Sequence, residues 1–534
     1  MAKKTFLKGA VILGVAGIII KVLGAFFRIP LANIIGDTGM GYYQTAYPVY
    51  VLLLTLSTAG IPTAIARLVS ERTAEGNHRE AYRIFRLSFK LLFIIGIACS
   101  AILFFGAPYI VGMYARPEAV YAMRAIAPAL FFVPLMASFR GYFQGLQEMT
   151  PTAISQVFEQ LFRVIGGLSL ALILVPYGLH YAAAGASFGA TAGAIFGLIA
   201  IVIVYMKQRK AIQANIAISP ADAVMEASGD ILKKIIIIAV PITIGAAIMP
   251  IMTNIDLMIV MRRLTATGFT GEEANDLYGQ LSGFAAPLIN FPQVITQSMA
   301  MSLVPAIAAA HQTNDREMMN KNVTLGLRTA MLVGLPCAVG LFVLAKPIML
   351  LLYPAEAESA ASASGCLAVL AVGVIFLSSV QTLTGMLQGI GKQLIPVKNL
   401  CIGAVFKVII TYTLTGIPAI NVKGAAAGTV CAYLVASSLN LMAVRKYTGV
   451  KFDITLTYIK PGISAFAMGA AVWSIYRALH GFLGNALATV AGVGTGVIVY
   501  AFLILALNGI TEEEMLTLPK GRKLAALASK IKRH

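Results

Sequence analysis

Apolar residues in this chain run continuously over stretches of about 20 residues, the length a helix needs to cross a bilayer. Such runs fall at 9–34, 43–66, 91–113, 119–139, 152–176, 181–206, 235–261, 278–308, 325–351, 365–388, 395–417, 422–444, 458–479 and 482–508. A helix that is apolar all round has no water-facing side. The pattern therefore predicts an all-α polytopic membrane protein of about 14 transmembrane helices joined by short loops, the longest outward one at 262–277. The start, MAKKTFLKG, resembles a secretory signal. No small-residue cleavage site follows, and Lys21 and Arg28 interrupt the apolar run, so an uncleaved first span is expected.

Composition agrees. Of 534 residues 58% are hydrophobic and only 12% charged, whereas a soluble domain carries about a quarter charged. The net charge of +19 would fit a nucleic-acid partner, but its distribution points elsewhere. With the N-terminus inside, thirty of the 41 Lys and Arg fall in the tails and even-numbered loops, seven in or beside the odd ones, and four (Lys21, Arg28, Arg163, Lys407) within spans. That asymmetry places both termini in the cytoplasm of a cell-membrane protein and leaves no call for nucleic acid. The five cysteines sit in apolar stretches without paired spacing, and the five histidines are scattered, so neither a metal site nor a cofactor is expected.

The chain repeats itself. Phe139-Arg-Gly-Tyr-Phe-Gln-Gly145 parallels Leu383-Thr-Gly-Met-Leu-Gln-Gly389, and Leu161-Phe-Arg-Val164 parallels Val405-Phe-Lys-Val408. Ala182-Ala-Ala-Gly185 matches Ala425-Ala-Ala-Gly428, and Ile61-Pro-Thr-Ala-Ile-Ala66 resembles Val304-Pro-Ala-Ile-Ala308. Order and separation are kept, which predicts two pseudo-repeated six-helix lobes in parallel orientation plus two C-terminal helices. The expected division is an N-lobe at 1–206, a cytoplasmic linker at 207–234, a C-lobe at 235–444, spans 13 and 14 within 445–508, and a basic cytoplasmic tail at 509–534. Gly185, Gly189, Gly193 and Gly197 form a four-residue ladder suited to close helix packing.

Charges within spans are costly and therefore informative. Lys21 and Arg28 are seven residues apart, on one helical face and about 10 Å apart along the axis. They require an anion or water, or else acids on neighbouring helices, for which Asp256 is the candidate. Glu159 and Arg163 form an i,i+4 pair, readable as a self-neutralised pair or as a coupling element. In the second lobe Lys407 keeps the cation without the acid. Span seven carries Asn254 and Asp256 where span one has its basic pair, so positive charge is biased to the first lobe. No P-loop, GxSxG, HExxH or acidic pair in a long external loop is present, so an enzyme is not expected.

The segment RGYFQGLQEMTPTAISQVFEQLFRV (140–164) resembles the span four-to-five signature of bacterial lipid-linked oligosaccharide flippases. The likeness is to the SpoVB-like and MurJ-like branch of the multidrug/oligosaccharidyl-lipid/polysaccharide superfamily. Further similar stretches are 6–43, GIPTAIARLVSE (60–71) and PYGLHYAAAGA (176–186), and the resemblance runs to about residue 445. It implies fourteen helices in two lobes that alternate access to a polyprenyl-pyrophosphate-linked glycan, such as a peptidoglycan or spore-cortex precursor. The basic pair of those flippases matches Lys21-Val-Leu-Gly-Ala-Phe-Phe-Arg28, with one extra residue between the cations, so Lys21 and Arg28 are the implied diphosphate-binding residues. Further basic residues on spans two and eight of the family have no counterpart here: 46–53 has no arginine, and span eight offers Asn290 before Phe291-Pro292. The expected partners are the glycan lipid and the surrounding membrane lipids, with the chain acting as a monomer. A cation or drug antiporter of the related MATE type is the alternative.

Overall fold

The computed structural model describes residues 2–114, 116–220 and 225–510. The basic tail expected at 509–534 lies outside the described residues from 511 on. Among the described residues the chain is helical, with no strand. Twelve helices are long and apolar enough to cross a membrane, and two of these contain a sharp break. In α1 (Ala2–Thr58) the break is Gly36, at φ 64° and ψ −171°; in α16 (Lys460–Ala506) it is Gly484, at φ 72° and ψ 176°. Residues with a Cβ rarely adopt that backbone, so glycine there turns one long helix into two. Dividing both brings the count to about fourteen, as the apolar runs predict. The chain is a multi-pass membrane protein.

The helices form two compact units, one of residues Met1–Arg262 with Phe269–Gly279, the other of Arg263–Gly268 with Gln280–His534. The first contains α1, α2 (Ile61–Ala74), α3 (His78–Met113), α4 (Ala119–Ile126), α5 (Ala129–Gly145), α6 (Thr150–Leu174), α7 (Leu179–Ile218), most of α8 (Ser228–Ala266) and α9 (Gly271–Gly279). The second contains α10 (Ala286–Gln312), α11 (Arg316–Val343), α12 (Ala345–Leu352), α13 (Ala357–Gly389), α14 (Leu394–Thr415), α15 (Lys423–Thr448) and α16.

The repeated motifs make repeated contacts. In the first unit Gly141 of α5 lies against Pro62 and Ile65 of α2, and Gly145 against Val69. In the second, Gly385 of α13 lies against the Ala300 carbonyl of α10, and Gly389 against Ile307. The glycine ladder of α7 presses on α6: a Cβ on Gly189 would stand 2.7 Å from the Arg163 carbonyl, and one on Gly193 would strike the Glu159 carbonyl. In the second unit Gly428 of α15 takes the same seat against the Lys407 carbonyl of α14. These contacts involve backbone that cannot swing aside. Gly193→Val is accordingly expected to cost about 2–3 kcal/mol by overpacking, read as a lower melting temperature of the purified protein. An unchanged melting temperature would mean that α7 does not sit on α6 in this way.

The outward loop expected at 262–277 is shorter in the structure, because α8 runs to Ala266 and α9 begins at Gly271. Residues there read as polar because Asn275 is among them, yet Asn275 is 1% exposed. Its Nδ2 donates to the Thr38 carbonyl at 2.8 Å. A Cβ on Gly41 would run into the Asn275 amide, and one on Gly279 into the Asp37 carbonyl. The bend at Gly36 is thus clasped by α9.

The other end of this unit is tied by charge. Glu226, between α7 and α8, pairs with Lys234 at 2.6 Å and with Arg72 of α2. A hydrogen bond from Lys234, reinforced by the Arg72 charge, holds the Glu226 carboxyl below the usual carboxylate range. Its backbone N–H donates to the wholly buried Glu80 of α3 at 3.0 Å, and Arg83 donates to the Glu226 carbonyl at 2.6 Å. Together these bonds fasten the α7–α8 connection to the α2–α3 hairpin.

Candidate functional site

Cationic side chains of the first unit gather where α1 meets α6. Lys21, Gly24 and Arg28 are spaced three and four apart and so share one face of α1. A Cβ on Gly24 would lie 3.6 Å from Gln160 Nε2 of α6. One turn on, Phe27 fills the space that a Cβ on Gly167 would need, at 2.7 Å. Gln160, Arg163 and Gly167 form the corresponding face of α6. Lys21 and Arg28 therefore flank a glycine that faces Gln160 of α6. Lys21 is exposed and Arg28 half-buried.

Beside them lies an ion cluster that the sequence shows only in part. The expected pair, Glu159 and Arg163, is present at 3.4 Å. A shorter bond comes from Arg140 of α5, whose Nη2 donates to Glu159 Oε2 at 2.9 Å while its Nε donates to Ser155 Oγ at 2.8 Å. All three charged side chains are no more than 16% exposed. One carboxylate between two guanidiniums leaves one formal positive charge in excess. At low dielectric that charge draws an anion.

The second half of α1 lays an aromatic stripe along this cluster. Tyr43, Tyr47 and Tyr50 recur at helical spacing, with ring centroids 5.6 and 5.9 Å apart, and Phe27 approaches Tyr43 at 6.1 Å. The Tyr43 hydroxyl lies within the field of both Arg28 and Arg163, which links Arg28 of α1 to the cluster of α6. Sequence reasoning missed Arg140, which the apolar runs place in a loop, and the three tyrosines. Their i, i+4, i+7 spacing was the available signal.

The remaining candidates are more dispersed. Asn254 of α8 donates through Nδ2 to the carbonyls of Pro48 and Pro250, at 2.9 and 2.8 Å, and so ties α8 to α1 at Pro48 while also bonding a carbonyl of its own helix one turn back. Asp256 is half-buried and, two residues away, occupies a different face of α8. Asn290 is exposed on α10 and Lys407 half-buried on α14, both in the second unit. Among the described residues no group of three or more His, Cys, Asp or Glu is arranged to hold a metal ion.

Residues 6–311 match the family described as polysaccharide biosynthesis protein, and residues 282–413 match MatE. Stage V sporulation protein B of Bacillus subtilis (strain 168) is 28% identical over 524 residues, which is 97% of this chain and 98% of the relative. The lipid II flippase MurJ of the same organism is 26% identical over 495 residues, 89% of each chain. Among solved structures, a lipid II flippase MurJ in an inward closed conformation matches with a TM-score of 0.69 at 17% identity, covering 92% of this chain and 98% of that one. An inward-facing multidrug resistance transporter of the MATE family, of the MOP superfamily, matches with a TM-score of 0.65 at 16% identity, covering 80% and 94%. At such identities the structural likenesses establish the fold.

Proposed function

The chain belongs to the polysaccharide biosynthesis protein family, and from that membership we propose that it flips a polyprenyl-pyrophosphate-linked glycan across the cytoplasmic membrane. The observation that carries this reading is the cationic face of α1, Lys21 and Arg28 about Gly24, turned toward Gln160 of α6. The diphosphate and sugars of such a lipid cannot cross hydrocarbon unaided, whereas its isoprenoid tail can stay in the bilayer throughout. A basic face inside the membrane supplies what the head group lacks there. Lys21 and Arg28 hold the diphosphate, and the protein exposes that face to either side of the bilayer in turn. Peptidoglycan precursors are the favoured cargo, since one relative is a lipid II flippase and another a sporulation protein. Both termini lie in the cytoplasm on this reading, as the distribution of Lys and Arg requires.

The MatE match supports a second reading, export of organic cations against an ion gradient, for which Asp256 is the residue to test. Vesicles containing the purified protein separate the two. Protected transfer of a fluorescent polyprenyl-pyrophosphate glycan is expected, without transport of organic cations under an imposed Na⁺ or H⁺ gradient. The reverse result would establish the antiporter and remove the flippase.

A further inference from the structure

Two hydrogen-bond donors beside the ion cluster have no partner among the described residues: the Tyr50 hydroxyl and the Nε of Arg163. Tyr50 is 1% exposed, so bulk water does not compensate its hydroxyl. The Arg163 guanidinium lies within electrostatic reach of Tyr43, Tyr47 and Tyr50. Both oxygens of Glu159 are already engaged, one by Arg140 and one by the Nη2 of Arg163. Buried donors without an acceptor are disfavoured, and a buried cation in excess is more so. A water molecule would satisfy the hydroxyl but leave the charge. An oxyanion satisfies both.

We propose that Tyr50 and Arg163 form a second oxyanion subsite in the first unit, which takes a phosphate oxygen. This deepens the flippase reading and rests on it for the source of the phosphate, the diphosphate of the lipid-linked substrate. Lys21 and Arg28 approach that group from the first half of α1, Tyr50 and Arg163 from the second half and from α6. Holding it from two directions fixes its orientation as well as its charge.

The test uses the full chain in lipid nanodiscs, with undecaprenyl pyrophosphate and inorganic pyrophosphate as separate probes. Wild type is compared with Tyr50→Phe, which removes only the hydroxyl, and Arg163→Lys, which keeps the charge but loses the Nε donor. Each substitution is expected to weaken binding about tenfold, the size of one lost hydrogen bond to a charged group. The melting temperature of the Tyr50→Phe protein should stay the same or rise, since a purely structural hydroxyl would lower it when removed. An effect on both probes assigns the subsite to phosphate itself, and an effect on the lipid alone assigns it to a head group positioned by its tail. If both variants bind the lipid as wild type does and neither changes pyrophosphate binding, the subsite is refuted and the flippase reading stands. If pyrophosphate binding depends on Tyr50 while the lipid does not bind at all, the subsite stands and the flippase reading falls. Failure of the wild type to bind either probe overturns both.

Discussion

Replacing Lys21 and Arg28 together by alanine is expected to reduce transport of a polyprenyl-pyrophosphate glycan to the level of protein-free vesicles. Each cation that hydrogen-bonds a phosphate contributes about 1.5–3 kcal/mol. Losing both costs roughly 3–6 kcal/mol of substrate stabilisation, a factor of about a hundred or more. Stability should change little, because Lys21 is exposed and Arg28 half-buried, and truncating a side chain that is not fully buried leaves little cavity. The two consequences are measured separately, transport by a vesicle assay and folding by thermal unfolding of the purified protein. Single substitutions should fall between wild type and the double variant, and Arg28→Lys should retain part of the rate by keeping the charge without the planar fork. Transport at the wild-type rate in a folded double variant would remove the diphosphate assignment.

The second large effect is structural. Glu159→Gln keeps the shape of the side chain but leaves the guanidiniums of Arg140 and Arg163 facing each other without the carboxylate that binds both. Removing one partner of a buried ion pair costs about 3–5 kcal/mol, and here one acid serves two bases. The variant should express poorly and melt well below wild type. Adding Arg140→Gln should recover part of the loss, since the doubly substituted cluster carries the same excess charge as the original. Such non-additivity is the signature of a coupled group. If the double variant is less stable than Glu159→Gln by the full cost of Arg140→Gln alone, the three residues do not act as one cluster.

Much of this architecture was legible because bilayer physics writes it into the sequence in bulk. A span needs some twenty apolar residues whatever its partners, and the motif pairs at 139–145 and 383–389 are copies that keep the same neighbours in each unit. The basic face of α1 was legible for the same reason, since a charge within a span stands out. What escaped was set by contacts between distant segments. Arg140 closes an apolar run and so reads as a loop cation, and only the packing of α5 on α6 turns it toward Glu159. Gly36 and Gly484 are two among 49 glycines, with nothing local to mark them as the ones that break a long helix in two. Asn275 sits among acids in a polar stretch, and its burial depends on a glycine in α1 that leaves room for its amide.

The clasp of α9 on the bend of α1 has a consequence in time. Asn275 and its acceptor Thr38 are 237 residues apart in the chain. At synthesis rates of about 5–20 residues per second, some 10 to 50 seconds pass between delivery of one and of the other. During that interval the first two spans enter the membrane without the helix that later braces their junction. The first unit becomes complete when the ribosome has made about half the protein, so a nascent chain stopped short of Gly271 carries a basic face that has formed before its clasp.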